Sequence, residues 1–151
     1  MITIKSRQRK ITIDTNHLIK AAQKMLGALK YEGYDLGILL TTNRTIRHFN
    51  KLYRGKDRPT DVLSFPFHPM LKPGERIKPK SSEEENLGDL IISLQYVKTD
   101  APRWGQTFEE RMIVLLAHGI AHLLGYDHET DEEYALMRKV EQKLLRTAAS
   151  S

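Results

Sequence analysis

The sequence predicts an α+β fold: a small mixed sheet of about four strands packed with helices, one of them central. Three observations carry that expectation. Four short runs, at residues 2–5, 36–42, 62–65 and 87–93, are rich in Val, Ile, Leu and Thr and are bounded by turn residues. Between them lie stretches whose apolar residues recur every three or four positions. Near the C-terminus, residues 108–124 are apolar almost all round, the pattern of a helix buried on every side.

Taken in order, residues 2–5 form the first strand, and 10–13 have the same β-like makeup, as a hairpin arm or as a loop. Asp14 or Thr15 then offers a side-chain oxygen to the free N–H groups of a helix start. Leu18, Ile19, Ala22, Met25, Leu26 and Leu29 follow at helical spacing, so this helix runs to about Lys30, with Gly33 just beyond. After the buried strand at 36–42, Asn43 is the expected N-cap of a second helix with Ile46, Phe49, Asn50 and Tyr53 on its inner face. A basic loop closed by Pro59 leads into the strand 62–65. Pro66 has no N–H to donate, so this strand is expected to end there or to lie at an edge.

Residues 68–86 carry Pro69, Pro73, Gly74 and Pro79, with a basic first half and an acidic second, and are expected to form a mobile surface loop. After the strand at 87–93, Ser93 can cap a short helix at 94–99, and Pro102, Trp104 and Gly105 form a turn. Thr107 and Glu110 have capping-box spacing at the start of the long helix, which spans about 25 Å at about 1.5 Å per residue. Thr130 or Asp131 caps a last helix with Tyr134, Met137, Val140, Leu144 and Leu145 inward, and residues 148–151 are expected to fray.

At 151 residues, residues 1–151 are expected to form a single domain. Hydrophobic content of 40% against 28% charged excludes a disordered chain, and no apolar run approaches the length of a membrane span. No signal peptide is visible, since the charged start has no apolar stretch behind it. The chain has no Cys, so disulfides and thiolate ligands are excluded and a cytoplasmic location fits best. A net charge of +5 suits a polyanion partner, with nucleic acid the commonest, although a soluble basic protein needs no such partner.

The chemistry concentrates in residues 115–128, which hold three of the six histidines. His118 and His122 are four apart and share one face of a helix. Gly125 can take the left-handed turn that ends the helix, and His128 follows where it can swing in beside the other two. A lone His-x-x-x-His pair would be ordinary. The full spacing His-x-x-x-His-x-x-Gly-x-x-His requires a helical repeat, a breaker and a third ligand in register. Three imidazoles leave a fourth position open, and zinc is the first metal such a set suits. Polar histidines on an otherwise apolar helix also need partners, which a metal supplies. The spacing is that of the metzincin zinc peptidases, with one departure: Gly119 stands where they place the Glu that acts as base.

Three segments taken together resemble the YbeY family of ribosomal RNA-maturation metallo-endoribonucleases. They are Tyr53-Arg54-Gly55-Lys56-Asp57 with Pro59-Thr60-Asp61-Val62-Leu63-Ser64-Phe65-Pro66, then Leu87-Gly88-Asp89-Leu90-Ile91-Ile92-Ser93, then His118-Gly119-Ile120-Ala121-His122-Leu123-Leu124-Gly125-Tyr126-Asp127-His128. The motifs stand in the family's order over about the last two-thirds of the chain; residues 1–35 and 68–86 add nothing. Ala121 stands where this family often has Leu, a packing change that touches no ligand. The resemblance implies a zincin-like fold and one zinc ion held by His118, His122 and His128. It implies hydrolysis of single-stranded RNA, in maturation of the 3′ end of small-subunit ribosomal RNA and in ribosome quality control. It also singles out Arg54, which by itself reads as a solvated loop charge.

The expected mechanism follows from these parts. Zinc lowers the pKa of its water to about 7, giving a nucleophile at neutral pH, and can polarise a phosphate oxygen. Arg54, through the resemblance, would hold the scissile phosphate with its planar fork. Asp127, Asp61 and Asp89 are the carboxylates available as a base, each with a local structural role as the plainer reading. The metal hydroxide or the RNA's own 2′-hydroxyl could also serve. Lys56, Arg58, Lys72, Arg76, Lys78 and Lys80 could steer a phosphate backbone, or be generic surface charge. Phe65 and Phe67 could stack bases, although strand aromatics are usually core. His17 and His48 are expected to take no part, and His68, at the root of the loop 68–86, is expected to be a loop residue, with a substrate contact as the alternative. Two rivals remain at this level: a zinc metallopeptidase-like hydrolase lacking its usual Glu, and a non-catalytic zinc-containing protein that binds RNA or ribosomes.

Overall fold

A computed structural model describes residues 1–150. The strands are β1 (Ile2–Ser6), β2 (Asp35–Thr41), β3 (Val62–Pro66) and β4 (Asn86–Ser93). The helices are α1 (Thr15–Ala28), α2 (Asn43–Arg54), α3 (Leu94–Asp100), α4 (Phe108–Leu123) and α5 (Asp131–Ala149). The strands make one sheet in the order β1-β2-β4-β3. β1, β2 and β4 run parallel, and β3 closes the sheet antiparallel to β4. The expected α+β architecture with a small mixed sheet is thus observed, and Pro66 does end a strand at an edge.

Helices cover the sheet unequally. Leu36, Ile38 and Leu40 of β2 and Leu90 and Ile92 of β4 face the main core, built with α1, α4 and the inner residues of α5. On the opposite face, Leu63 and Ile91 pack with Ile46 of α2 in a smaller cluster. The two central strands are therefore apolar on both faces, which is why they read as near-continuous apolar runs. α4 lies against the sheet with Met112, Leu115, Leu116, Ala117 and Ile120 buried. Its Thr107–Glu110 capping box is formed in both directions, a feature worth about 1 kcal/mol.

The structure departs from the sequence expectations in several places. Residues 10–13 are not a strand. The Gln8 amide takes both backbone groups of Ile11, accepting from its N–H at 2.9 Å and donating to its carbonyl at 2.9 Å, in place of a neighbouring strand. The N-cap of α2 is Thr42, one residue before Asn43. Asn43 is instead tied across the sheet end, its Oδ1 accepting from the Ser93 hydroxyl at 2.8 Å. Tyr134 is exposed, because only Met137 and Leu144 among the predicted inward residues of α5 are fully buried. Residues 148–150 do not fray: Ala148 packs on the core, and Lys24 Nζ donates to the Ser150 carbonyl at 2.7 Å. Ser151 lies outside the described residues.

The stretch 68–86 is pinned to the body of the molecule. Ile77 is buried and its N–H donates to the Tyr31 hydroxyl at 3.0 Å. The Arg76 guanidinium donates to the carbonyls of Leu29 and Lys30 at 2.6 and 2.8 Å and lies 4.0 Å over the Tyr31 ring. Carbonyls at the end of a helix lack intrahelical partners, and a charged donor is a strong substitute. His68 Nε2 donates to the Glu84 carbonyl at 2.8 Å, so it fastens the base of this segment.

Candidate metal centre

The site begins with the register of α4. His118 and His122 stand one turn apart on it and are half-buried. The helix then ends in a Schellman turn: Tyr126 N–H donates to the Ala121 carbonyl at 3.1 Å and Gly125 N–H to that of His122 at 3.0 Å. Gly125 takes φ +93°, and a Cβ there would lie 2.2 Å from the Leu71 carbonyl oxygen. Only glycine fits both demands. The turn carries His128 back, so that one ring nitrogen from each of the three histidines lies within 4.8 Å of the others. The ring centroids are 4.6, 5.3 and 5.7 Å apart.

Hydrogen bonding decides which nitrogens face inward. Nδ1 of His118 lies 2.9 Å from Glu141 Oε2, an acceptor, so Nδ1 carries the proton and Nε2 the lone pair. His122, on the same helix face, points its Nε2 at the same spot. These two Nε2 atoms face each other at 3.2 Å. Either a proton on one of them or a cation between them must bridge two ring nitrogens so placed, and only a cation takes a lone pair from both. Ligands at about 2.0–2.1 Å in a tetrahedral zinc site stand about 3.3 Å apart. The donor set thus fits a metal ion. Three imidazoles without thiolate suit zinc among other divalent ions.

Burial, then repulsion from His118 and His128, lowers the His122 pKa from 6.5 to about 4. A neutral His122 presents a lone pair at pH 7. The same shift makes a pH prediction for the metal-free protein. Between about pH 6.5 and 4 the unfolded chain binds the His122 proton and the folded chain does not, so stability falls as pH drops through that window. Urea unfolding of the metal-free protein at both ends of the window checks it. His122→Gln should flatten the dependence.

Other residues named from the sequence fall elsewhere. Arg54 is exposed in the last turn of α2, and no hydrogen bond or ion pair engages its side chain among the described residues. Its neighbours Arg47 and Lys51 pair with Asp57 at 2.8 and 4.0 Å. Asp61 accepts from Val62 N–H at 2.7 Å and faces Arg111 at 3.6 Å, so it fastens the start of β3 to α4. Asp89 points from β4 toward Gly37, on the α2 side of the sheet. Asp127 holds no imidazole; its Oδ1 accepts from the His128 N–H at 2.8 Å. Phe65 packs in the smaller core, while Phe67 is exposed. Arg76, bound to α1, is removed from the residues open to a phosphate backbone. His17 and His48 are exposed and apart from the site.

Gly119 has a packing reason. A Cβ there would meet the methyl groups of Leu90 at 2.8 and 2.9 Å, so the helix sits directly on β4. A peptidase Glu would have to enter that contact.

A family model described as endoribonuclease YbeY matches residues 3–149. The chain belongs to this family. The match extends well beyond the three motifs, into residues 3–35 and across 68–86. A Sulfurihydrogenibium protein named endoribonuclease YbeY is 48% identical over 113 residues, 75% of this chain and 68% of its own. The human YbeY relative is 36% identical over 147 residues, covering 95% of this chain and 86% of its own. A Thermoanaerobacter YbeY is 37% identical over 150 residues, at 95% and 94% coverage. The solution structure of a Thermotoga maritima protein matches all of this chain and 97% of its own with a TM-score of 0.57 at 25% identity, in agreement on the fold.

One residue beside this YbeY site was not singled out from the sequence. Glu141 lies on α5, 23 residues beyond His118, and its carboxylate reaches the first histidine. The signal was a Glu on the same helix face as Met137 and Leu144, where an apolar residue is the norm.

Proposed function

We propose that the chain cleaves single-stranded RNA with one zinc ion held by His118, His122 and His128. Its family makes it an endoribonuclease, and so a hydrolase. The finer reading is that it matures the 3′ end of small-subunit ribosomal RNA and serves ribosome quality control, with the ribosome and its RNA as partners, in the cytoplasm. No helix among the described residues is long and apolar enough to cross a membrane.

The facing Nε2 atoms of His118 and His122, with the His118 proton drawn to Glu141 and the His128 ring beside them, carry the metal reading. The ion, when bound, supplies an activated water and a Lewis acid. His118, His122 and His128 would hold it, and Glu141 keeps the His118 ring in the needed tautomer. Arg54 is assigned to the substrate phosphate: its guanidinium stands exposed, while Arg47 and Lys51 beside it are paired. Lys56, Arg58, Lys72, Lys78 and Lys80 are exposed and can attract the backbone in a salt-dependent way.

Arg54→Ala tests this reading. Metal content should be unchanged, because Arg54 touches no histidine. Single-turnover cleavage of single-stranded RNA should fall about 10²–10³-fold, the usual loss on removing one preorganised donor. Unchanged cleavage would remove Arg54 from the mechanism. Chelator-insensitive cleavage by the parent protein would remove the metal.

A further inference from the structure

We propose that Glu141 is a positioning residue for the metal site, acting through His118 to fix which ring nitrogen meets the ion. The inference rests on the metal reading above and adds a residue from a helix that carries none of the three ligands.

Glu141 occupies an odd place for a carboxylate. It lies on α5 one turn past Met137 and three residues before Leu144, both fully buried, on the face that packs against α4. A carboxylate there is costly unless paired. Among the described residues its one charged or hydrogen-bonding partner is His118 Nδ1, at 2.9 Å. That contact has a directional consequence. An ionised carboxylate only accepts, so the imidazole proton is drawn to Nδ1 and the lone pair is left on Nε2. Nε2 is the atom 3.2 Å from Nε2 of His122. In the other tautomer an N–H would point into the ion's place, and a lone pair would face the carboxylate. The negative charge also makes the ligand nitrogen a better donor to a cation.

The geometry ties two distant parts of the chain. His118 and His122 are set by the register of α4, and His128 by the turn at Gly125. Glu141 arrives only when α5 docks, so docking of the C-terminal helix completes the outer shell of the site.

Zinc affinity by chelator competition, and the His118 tautomer by ¹⁵N NMR of the metal-free protein at mildly alkaline pH, test the proposal. Glu141→Ala should weaken zinc binding about 10–100-fold, the usual cost of losing such a partner. Glu141→Gln should fall between, since its amide oxygen still accepts but carries no charge. In the metal-free parent, His118 should hold its proton on Nδ1, and Glu141→Gln should loosen that preference. A folded Glu141→Ala protein with parental affinity overturns the proposal, even if its thermal stability drops, because a purely structural ion pair would do that. A parent protein with the proton on Nε2 overturns it without any variant, which covers the case of an alanine variant that does not fold. A parent that binds no zinc defeats the metal reading and this inference together. A parent that binds zinc while both variants bind it equally defeats this inference alone.

Discussion

Replacing His122 by alanine is expected to strip the protein of its metal and of RNA cleavage together. His122 is the middle ligand: its Nε2 faces that of His118, and its ring lies 5.3 Å from that of His128. Removing it leaves two imidazoles that a single ion bridges with poor geometry. The loss of affinity should exceed the roughly 10–100-fold that removing an outer hydrogen-bond partner costs. The metal-free variant should still fold. Burial and the neighbouring imidazoles push the His122 pKa down to about 4, so the ring is neutral at pH 7 and alanine leaves no unpaired charge behind. Metal analysis, cleavage of single-stranded RNA and a urea titration distinguish the outcomes. A variant that keeps both zinc and cleavage would show that the histidines are not the metal site.

Gly125→Ala should have the largest effect on stability, and should damage the site from outside it. A left-handed backbone costs a residue with a Cβ about 1–2 kcal/mol. Here the Cβ would also sit 2.2 Å from the Leu71 carbonyl oxygen, a contact neither backbone can absorb without moving. A total above about 2 kcal/mol is expected, and each kcal/mol lowers the melting temperature of a domain this size by about 2–4 °C. The turn also aims His128, so zinc affinity should fall with stability. Deleting the Leu71 side chain should not rescue the variant, because the clash is with its backbone. A melting temperature within a degree of the parent, by calorimetry on the metal-free protein, would contradict the close approach of Leu71 to this turn.

Much of the fold was legible because its signals are local. The Thr107–Glu110 box, the apolar run of α4 and the breaker at Gly125 act within one or two turns of chain, and the structure contains all three. The strands at 36–42 and 87–93 read correctly because one face of each lies in the main core and the other is partly covered by the smaller cluster. Failures came where a side chain replaced an expected backbone partner. Gln8 took the bonds a strand at 10–13 would have made. Residues 68–86 looked mobile by composition, yet one buried isoleucine and one arginine on the carbonyls at the end of α1 hold them down. Neither contact has a periodicity to detect.

Local chain geometry alone offers the three histidines together. A four-residue helical repeat and a glycine break are short-range geometry, and the stereochemistry of the chain enforces them wherever the helix lies. Packing between segments settled which nitrogen His118 presents and why residue 125 must be glycine, because the acceptor for His118 comes from α5 and the constraint on Gly125 from Leu71. Those relations depend on how separate segments pack, and packing is the sum of many weak contacts that no single stretch of residues contains.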